Sequence, residues 1–239
     1  MAREFVLVHG MSHGGWCWEP LQRRLEQAGH RVLAVDLPGH GRRAHEWRTA
    51  SLEVYARAVA DAMALAGISR GFVVGHSMGG VVIPRVAELA EARVAHLVFL
   101  AAVVVPSGRS TLDYHIPAPM RPLLQGLARA GGGAVQYPAV FEHARWMSDL
   151  QSGDPRLVDA LVRLTPQPFR PLMDQIRHER FYAMRVPRTY IRCLGDMAVP
   201  PARAAEYAAR LGVTPIDLDT AHGPMLSNPD ALVKILEGL

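Results

Sequence analysis

The stretch Phe72-Val73-Val74-Gly75-His76-Ser77-Met78-Gly79-Gly80-Val81-Val82-Ile83 constrains this 239-residue chain more than any other. A β-branched run enters a Gly-rich turn and leaves it as an apolar helix. Gly75-x-Ser77-x-Gly79 has the nucleophile-elbow pattern, in which glycines let the backbone double back and lift a serine hydroxyl above a sheet. The helix after it aims its N-terminal N–H groups and positive dipole end at any anion formed there. G-x-S-x-G alone is common; the strand before it and the helix after it make it informative.

The rest of the chain repeats that β-loop-α rhythm. Phe5–Val8 reads as a buried strand running into the Gly-rich loop His9–Trp16. A helix over 19–28 follows, with Pro20 in its first turn and Gly29 at its end. Arg31–Val35 is a second strand. Ser51 caps a helix that reaches Leu65 and stops at Gly67. Gly71–Gly75 is the strand before the elbow, Met78 opens the helix after it, and Ala95–Ala102 is the next strand. The alternation resumes late with a strand at Arg188–Leu194, a helix at Pro201–Leu211, a strand at Thr214–Leu218 and a helix at Pro229–Leu236. Such alternation predicts a mostly parallel sheet of about six strands with helices on both faces. Between about Val105 and Val186 the rhythm breaks. About 80 residues without strand signal, with helical patches at Pro122–Arg129, Pro155–Leu164 and Pro171–His178, read as a helical cap over the site. The expected organisation is a core of residues 1–104 and 187–239 with a cap (lid) insertion at 105–186.

Composition excludes several function classes. Basic residues number 26 against 22 acidic, a net charge of +4, but they are scattered and form no basic stripe with interleaved aromatics. Nucleic acid is therefore not an expected partner. The longest apolar run, Val94 to Pro106, includes His96 and is too short to span a membrane. Cys17 and Cys193, the only two cysteines, are too few for a disulfide framework and wrongly spaced for a metal. Buried thiols in a reducing, cytoplasmic compartment are the expectation, with no signal peptide because Phe5–Val8 is already core.

A serine nucleophile needs a base, an acid to orient the base, and donors for the oxyanion. On a parallel sheet all must come from loops at the strands' C-terminal ends. His222 fits the base, lying between the last strand and the last helix. Asp196 fits the acid, although it could instead cap the helix that follows. Asp217 lies within a strand, and Asp219 lacks a separate loop to aim it. His9 and His76 are expected to brace loops rather than move protons. The oxyanion donors are expected to be the main-chain N–H groups of Met78 and Met11, with both methionine side chains incidental.

With these residues in place the chain resembles the α/β-hydrolase superfamily along nearly its full length. Within it, the chain looks like the esterase branch that holds plant methylesterases, hydroxynitrile lyases and bacterial relatives. The likeness is carried by Val6-Leu7-Val8-His9-Gly10 and His13-Gly14-Gly15-Trp16-Cys17-Trp18, then by Ala28–Val32, Val35-Asp36-Leu37 and Gly75–Gly80. Asp196–Pro200 and His222–Pro229 complete it. In the insertion it is confined to Leu164-Thr165-Pro166-Gln167-Pro168-Phe169. The resemblance implies an α/β-hydrolase fold with a catalytic triad and a carboxylesterase-type, cofactor-independent hydrolysis of a small or medium ester through an acyl-enzyme on Ser77. It also divides the branch's chemistries. The lyases carry a threonine after the first-loop histidine and a lysine after the catalytic histidine, where this chain has Gly10 and Gly223. An esterase is therefore expected over a cyanohydrin lyase.

The expected partner is a small ester-like molecule, apolar or aromatic, with His13, Tyr114, Phe141, Trp146, Met147, Phe169 and Phe181 as candidate pocket residues. Apolar cap residues must also pack on one another, so any of them could be cap core. Two other readings stay open on the same fold: a biosynthetic cyclisation, elimination or carbon–carbon cleavage with His222 as base, and a non-catalytic small-ligand receptor. The oligomeric state is open, a homodimer being one option.

Overall fold

The computed structural model describes residues 2–239. The apolar runs form a six-stranded sheet, here β1 (Glu4–Val8), β2 (Arg31–Val35), β3 (Gly71–His76), β4 (Val94–Leu100), β7 (Arg188–Cys193) and β8 (Ile216–Leu218). Its order is β2-β1-β3-β4-β7-β8, and every neighbouring pair is parallel. Phe5, Val6, Leu7 and Val8 are all fully buried, as a strand covered by helices on both faces must be. Register does the functional work. Val8 lies opposite Gly75, His76 opposite Leu100, Leu100 opposite Ile191 and Cys193 opposite Leu218. The loops that leave β1, β3, β7 and β8 therefore emerge side by side along one edge.

The flanking helices are α1 (Glu19–Gln27), α2 (Leu52–Leu65), α3 (Gly79–Leu89), α9 (Pro201–Leu211), the short α10 (Pro224–Ser227) and α11 (Pro229–Glu237). Their ends follow local chemistry. At α2, the Ser51 hydroxyl accepts a hydrogen bond from the Val54 N–H at 3.2 Å. The helix is followed by Gly67 at φ +64°, a conformation glycine adopts without steric cost.

Between β4 and β7 the chain leaves the sheet. It forms α4 (Thr111–Tyr114), α5 (Arg121–Ala130), β5 (Ala134–Val135), α6 (Ala139–Trp146), α7 (Pro155–Arg163), β6 (Gln167–Pro168) and α8 (Arg170–Met173). Two features depart from the sequence pattern. β5 and β6 pair antiparallel, where no strand is predicted, because two residues a side are too few to show alternation. The helix predicted over Pro171–His178 is only one turn, α8. It ends where Asp174 turns extended and its carboxylate accepts the N–H of Leu52, the first residue of α2, at 2.9 Å. Among the described residues no helix is long and apolar enough to cross a membrane.

Replacing Ser51 with alanine removes the cap of α2 and is expected to cost about 1 kcal/mol. A chemical denaturation midpoint lowered with unchanged slope would report it.

Candidate active site

Ser77 sits at the β3–α3 turn with φ +53°, a left-handed conformation that costs a non-glycine residue about 1–3 kcal/mol. Its neighbours hold it there. Ser77 N–H donates to Leu100 O at 3.1 Å, and Ser77 O accepts from Gly80 N–H at 3.0 Å and Val103 N–H at 2.9 Å. The glycines of the elbow serve close approach rather than unusual φ. A Cβ on Gly75 would lie 2.7 Å from Gly79 O, and one on Gly79 would lie 2.6 Å from Val8 O. Gly10, in the loop after β1, is pressed against the serine itself, since a Cβ there would lie 2.7 Å from Ser77 Cβ.

His222 and Asp196 come from the loops after β8 and β7. His222 Nδ1–H donates to Asp196 Oδ2 at 2.7 Å, with both side chains almost wholly buried. Asp196 Oδ1 accepts the N–H groups of Ala198 at 2.7 Å and Val199 at 2.8 Å. The carboxylate is thus locked by three donors ahead of α9, in a turn that precedes the helix rather than capping it. Asp217 instead pairs with Arg192, and Asp219 is exposed. One main-chain bond fixes the His222 loop from each side. His76 Nε2–H donates to His222 O at 2.8 Å, and Ala221 N–H donates to Asp149 Oδ2 of the insertion at 2.9 Å.

Burial settles the charge state of the neighbouring imidazoles. His76 is pushed well below the usual histidine value, burial acting first and the nearby His222 and His13 adding to it. Burial likewise brings His13 and His40 down to about 4. His9, also held neutral, donates from Nδ1 to Gly10 O at 2.8 Å and accepts Leu37 N–H at Nε2. His9 and His76 therefore tie loops together.

Met11, His13, His76, Ser77, Trp146 and His222 line one cavity of about 10 Å³, the space of a single water. Two larger grooves, about 630 and 510 Å³, lie along the β2 edge and beside the start of α2, and Ser77 lines neither. Among the described residues the main-chain N–H groups of Met11 and Met78 have no protein acceptor. Of the candidate pocket residues, His13 and Trp146 line the cavity. Met147 is buried against the His222 loop, its Cγ 4.0 Å from the position of a Gly223 Cβ. Phe141 packs one layer out, 6.2 Å from the Trp146 ring, and Phe169 is buried beside β6. Tyr114 packs at a tilt against Tyr207 and accepts a hydrogen bond from Arg210 at its hydroxyl, while Phe181 packs on Phe99 and Arg188. These two belong to packing away from the cavity.

Two features lay beyond the sequence pattern. The Met78 side chain is not incidental, because its Sδ meets the amide of Gln167 at 3.9 Å. Gln167 itself, fully buried, has only a weak sequence signal: a polar residue between two prolines in the one part of the insertion that carries the family likeness.

The sequence profile of the Alpha/beta hydrolase family matches residues 5–235, and the chain belongs to that family. A putative chloroplastic methylesterase 11 of Arabidopsis thaliana is 31% identical over 249 residues, covering 97% of this chain. This chain spans only 62% of that relative's length. An extracellular alpha/beta-hydrolase from a Paenibacillus species superposes with a TM-score of 0.90 at 22% identity, covering 99% of this chain and 98% of that one. A pyrethroid hydrolase superposes with a TM-score of 0.83 at 26% identity, covering 100% and 97%.

Gly10→Thr forces a side chain onto Ser77 Cβ. Displacing the serine by about 1 Å is expected to lower kcat/KM for a p-nitrophenyl ester on the order of 10²-fold, with the fold retained by circular dichroism. Acid should also destabilise the fold. His13 and His40 stay neutral in the native state down to about 4 but protonate near 6.5 once unfolded, so the unfolded chain takes up protons first as pH falls. Stability is kept above 6.5 and lost between 6.5 and about 4, by up to about 1.4 kcal/mol per pH unit for each group. Thermal melts at pH 7.5 and 5 check the sign.

Proposed function

We propose that this chain is a serine esterase acting on small-molecule esters through an acyl-enzyme on Ser77. The observation that carries the reading is the buried His222–Asp196 hydrogen bond at 2.7 Å, with its histidine and Ser77 on the wall of one cavity. Asp196 holds the imidazole with its proton on Nδ1, which leaves Nε2 as the base. Ser77 Oγ attacks the ester carbonyl as His222 Nε2 takes its proton. The N–H groups of Met11 and Met78 receive the oxyanion, each such donor contributing about 2.7–4 kcal/mol to the transition state. His222 then protonates the departing alkoxide, and a water molecule, deprotonated by the same nitrogen, releases the acid and restores Ser77.

The names of the methylesterase and pyrethroid hydrolase relatives support an ester substrate. Gly10 and Gly223 support hydrolysis over cyanohydrin cleavage. A side chain at 223 would meet Trp146 O at 3.1 Å, so the lysine of the lyases would press on the insertion here. The insertion is the cap in this reading, with Trp146 as the roof of the acyl site.

Hydrolysis of p-nitrophenyl acetate should fall by at least about 10³-fold in Ser77→Ala and His222→Ala. Equal rates in native and Ser77→Ala protein would end the esterase reading. Trp146→Ala removes the roof, so kcat/KM for a p-nitrophenyl hexanoate should rise relative to acetate in an acyl-length series. An unchanged ratio would place the acyl site elsewhere.

A further inference from the structure

Ser12, the residue after Met11, has φ +60°, is buried, and is gripped at both its N–H and its carbonyl by the insertion. Its N–H donates to Gln167 Oε1 at 3.0 Å. Its carbonyl accepts the Thr165 N–H at 2.9 Å and the Thr165 hydroxyl at 3.3 Å. Nothing in the residue type favours the left-handed region for serine; inside the loop His13 N–H donates to Met11 O at 2.7 Å and closes a tight turn on Ser12, and the insertion clamps that turn from outside.

Gln167 is fully buried and every part of its amide is engaged. Oε1 also accepts His40 Nε2–H at 3.1 Å, and Nε2 donates to Pro168 O at 2.8 Å and to Met78 Sδ at 3.9 Å. The amide orientation is unambiguous: Ser12 N–H can only donate and Pro168 O can only accept. One side chain from the insertion thus touches both segments that carry the candidate oxyanion donors. It reaches the residue after Met11 through its oxygen and the Met78 side chain through its nitrogen.

We propose that Gln167 is a positioning residue that sets the oxyanion hole from the insertion, by holding Ser12 left-handed and so aiming the Met11 N–H at the oxyanion. The proposal rests on the esterase reading for its catalytic consequence. It makes the cap more than a roof, because seating of the paired β5 and β6 strands and completion of the oxyanion site are one event. A side chain that only stabilised the cap would act on folding and on KM. A positioning residue acts on kcat.

The test combines kinetics with amide hydrogen exchange on the full chain. Gln167→Met keeps the length of the side chain and removes all of the amide's hydrogen bonds, while Gln167→Asn keeps the amide and withdraws it from Ser12. The second variant carries the same expectation if the first does not fold. For p-nitrophenyl acetate, kcat should fall at least about tenfold with KM within about twofold. The Ser12 amide should exchange at least about tenfold faster, while those of β3 keep their protection. Adding Ser12→Gly supplies a residue that adopts positive φ unaided and should return kcat to within about threefold of the parent. Unchanged kcat, a loss confined to KM, or a loss that Ser12→Gly leaves untouched would each overturn the proposal. A parent protein without Ser77-dependent turnover would instead overturn the esterase reading and the catalytic role drawn from it. In that case Ser12 exchange alone decides the clamp: faster exchange in the variant sustains it, and unchanged exchange overturns it.

Discussion

Two turns, one after β1 and one after β3, approach each other so closely that no Cβ fits between them at Gly10 or Gly79. The rest of the site depends on that contact. It sets the loop that carries Met11 against Ser77, whose strained φ is sustained by bonds with Leu100, Gly80 and Val103. The parallel register then delivers the Asp196 and His222 loops to the same edge. Interior packing makes the arrangement stiff, since Phe5–Val8 of β1 and Val73, Val74 and His76 of β3 are buried beneath it and a one-methylene change in such a core is felt.

Polar groups in this region are few, and most of those near Ser77 are engaged. Asp196 spends its oxygens on His222, Ala198 and Val199, so the imidazole cannot turn without breaking a charge-assisted bond. His9 and His76 stay neutral; His9 spends both ring nitrogens on Gly10 O and the Leu37 N–H, and His76 spends Nε2 on His222 O. Asp149 and the Thr165–Gln167 segment reach in from the insertion to the His222 loop and the Ser12 loop. The insertion therefore touches both halves of the site through hydrogen bonds as well as through Trp146.

Much of this architecture was legible in the sequence, for physical reasons. Buried parallel strands are continuous apolar runs, and their helices end at glycines and begin at residues such as Ser51, so periodicity and caps expose them. Ser77, Asp196 and His222 could be picked out because each follows a strand, where a parallel sheet presents its loops. Asp196 was ambiguous with a helix cap, and its three donors show why: it makes turn bonds and the histidine bond with different oxygens. The insertion was harder to read. A two-residue strand leaves no alternation, and one-turn helices such as α8 are ended by tertiary bonds that a local pattern does not contain. Tyr114 and Phe181 look like pocket aromatics in sequence, yet they pack on Tyr207 of α9 and Phe99 of β4, because the insertion has to bury apolar surface where it joins the sheet and its helices. Gln167 was invisible as a functional residue because its role lies in contacts 155 positions away along the chain.

The central claim is that His222, held by Asp196, makes Ser77 a nucleophile. The most direct measurement is intact-mass and peptide mapping after exposure to a fluorophosphonate. A single phosphonyl adduct on the peptide containing Ser77, formed rapidly in the native protein and at least about 10²-fold more slowly in His222→Ala, is the expected result. No adduct, or an adduct formed equally fast without the histidine, would contradict it.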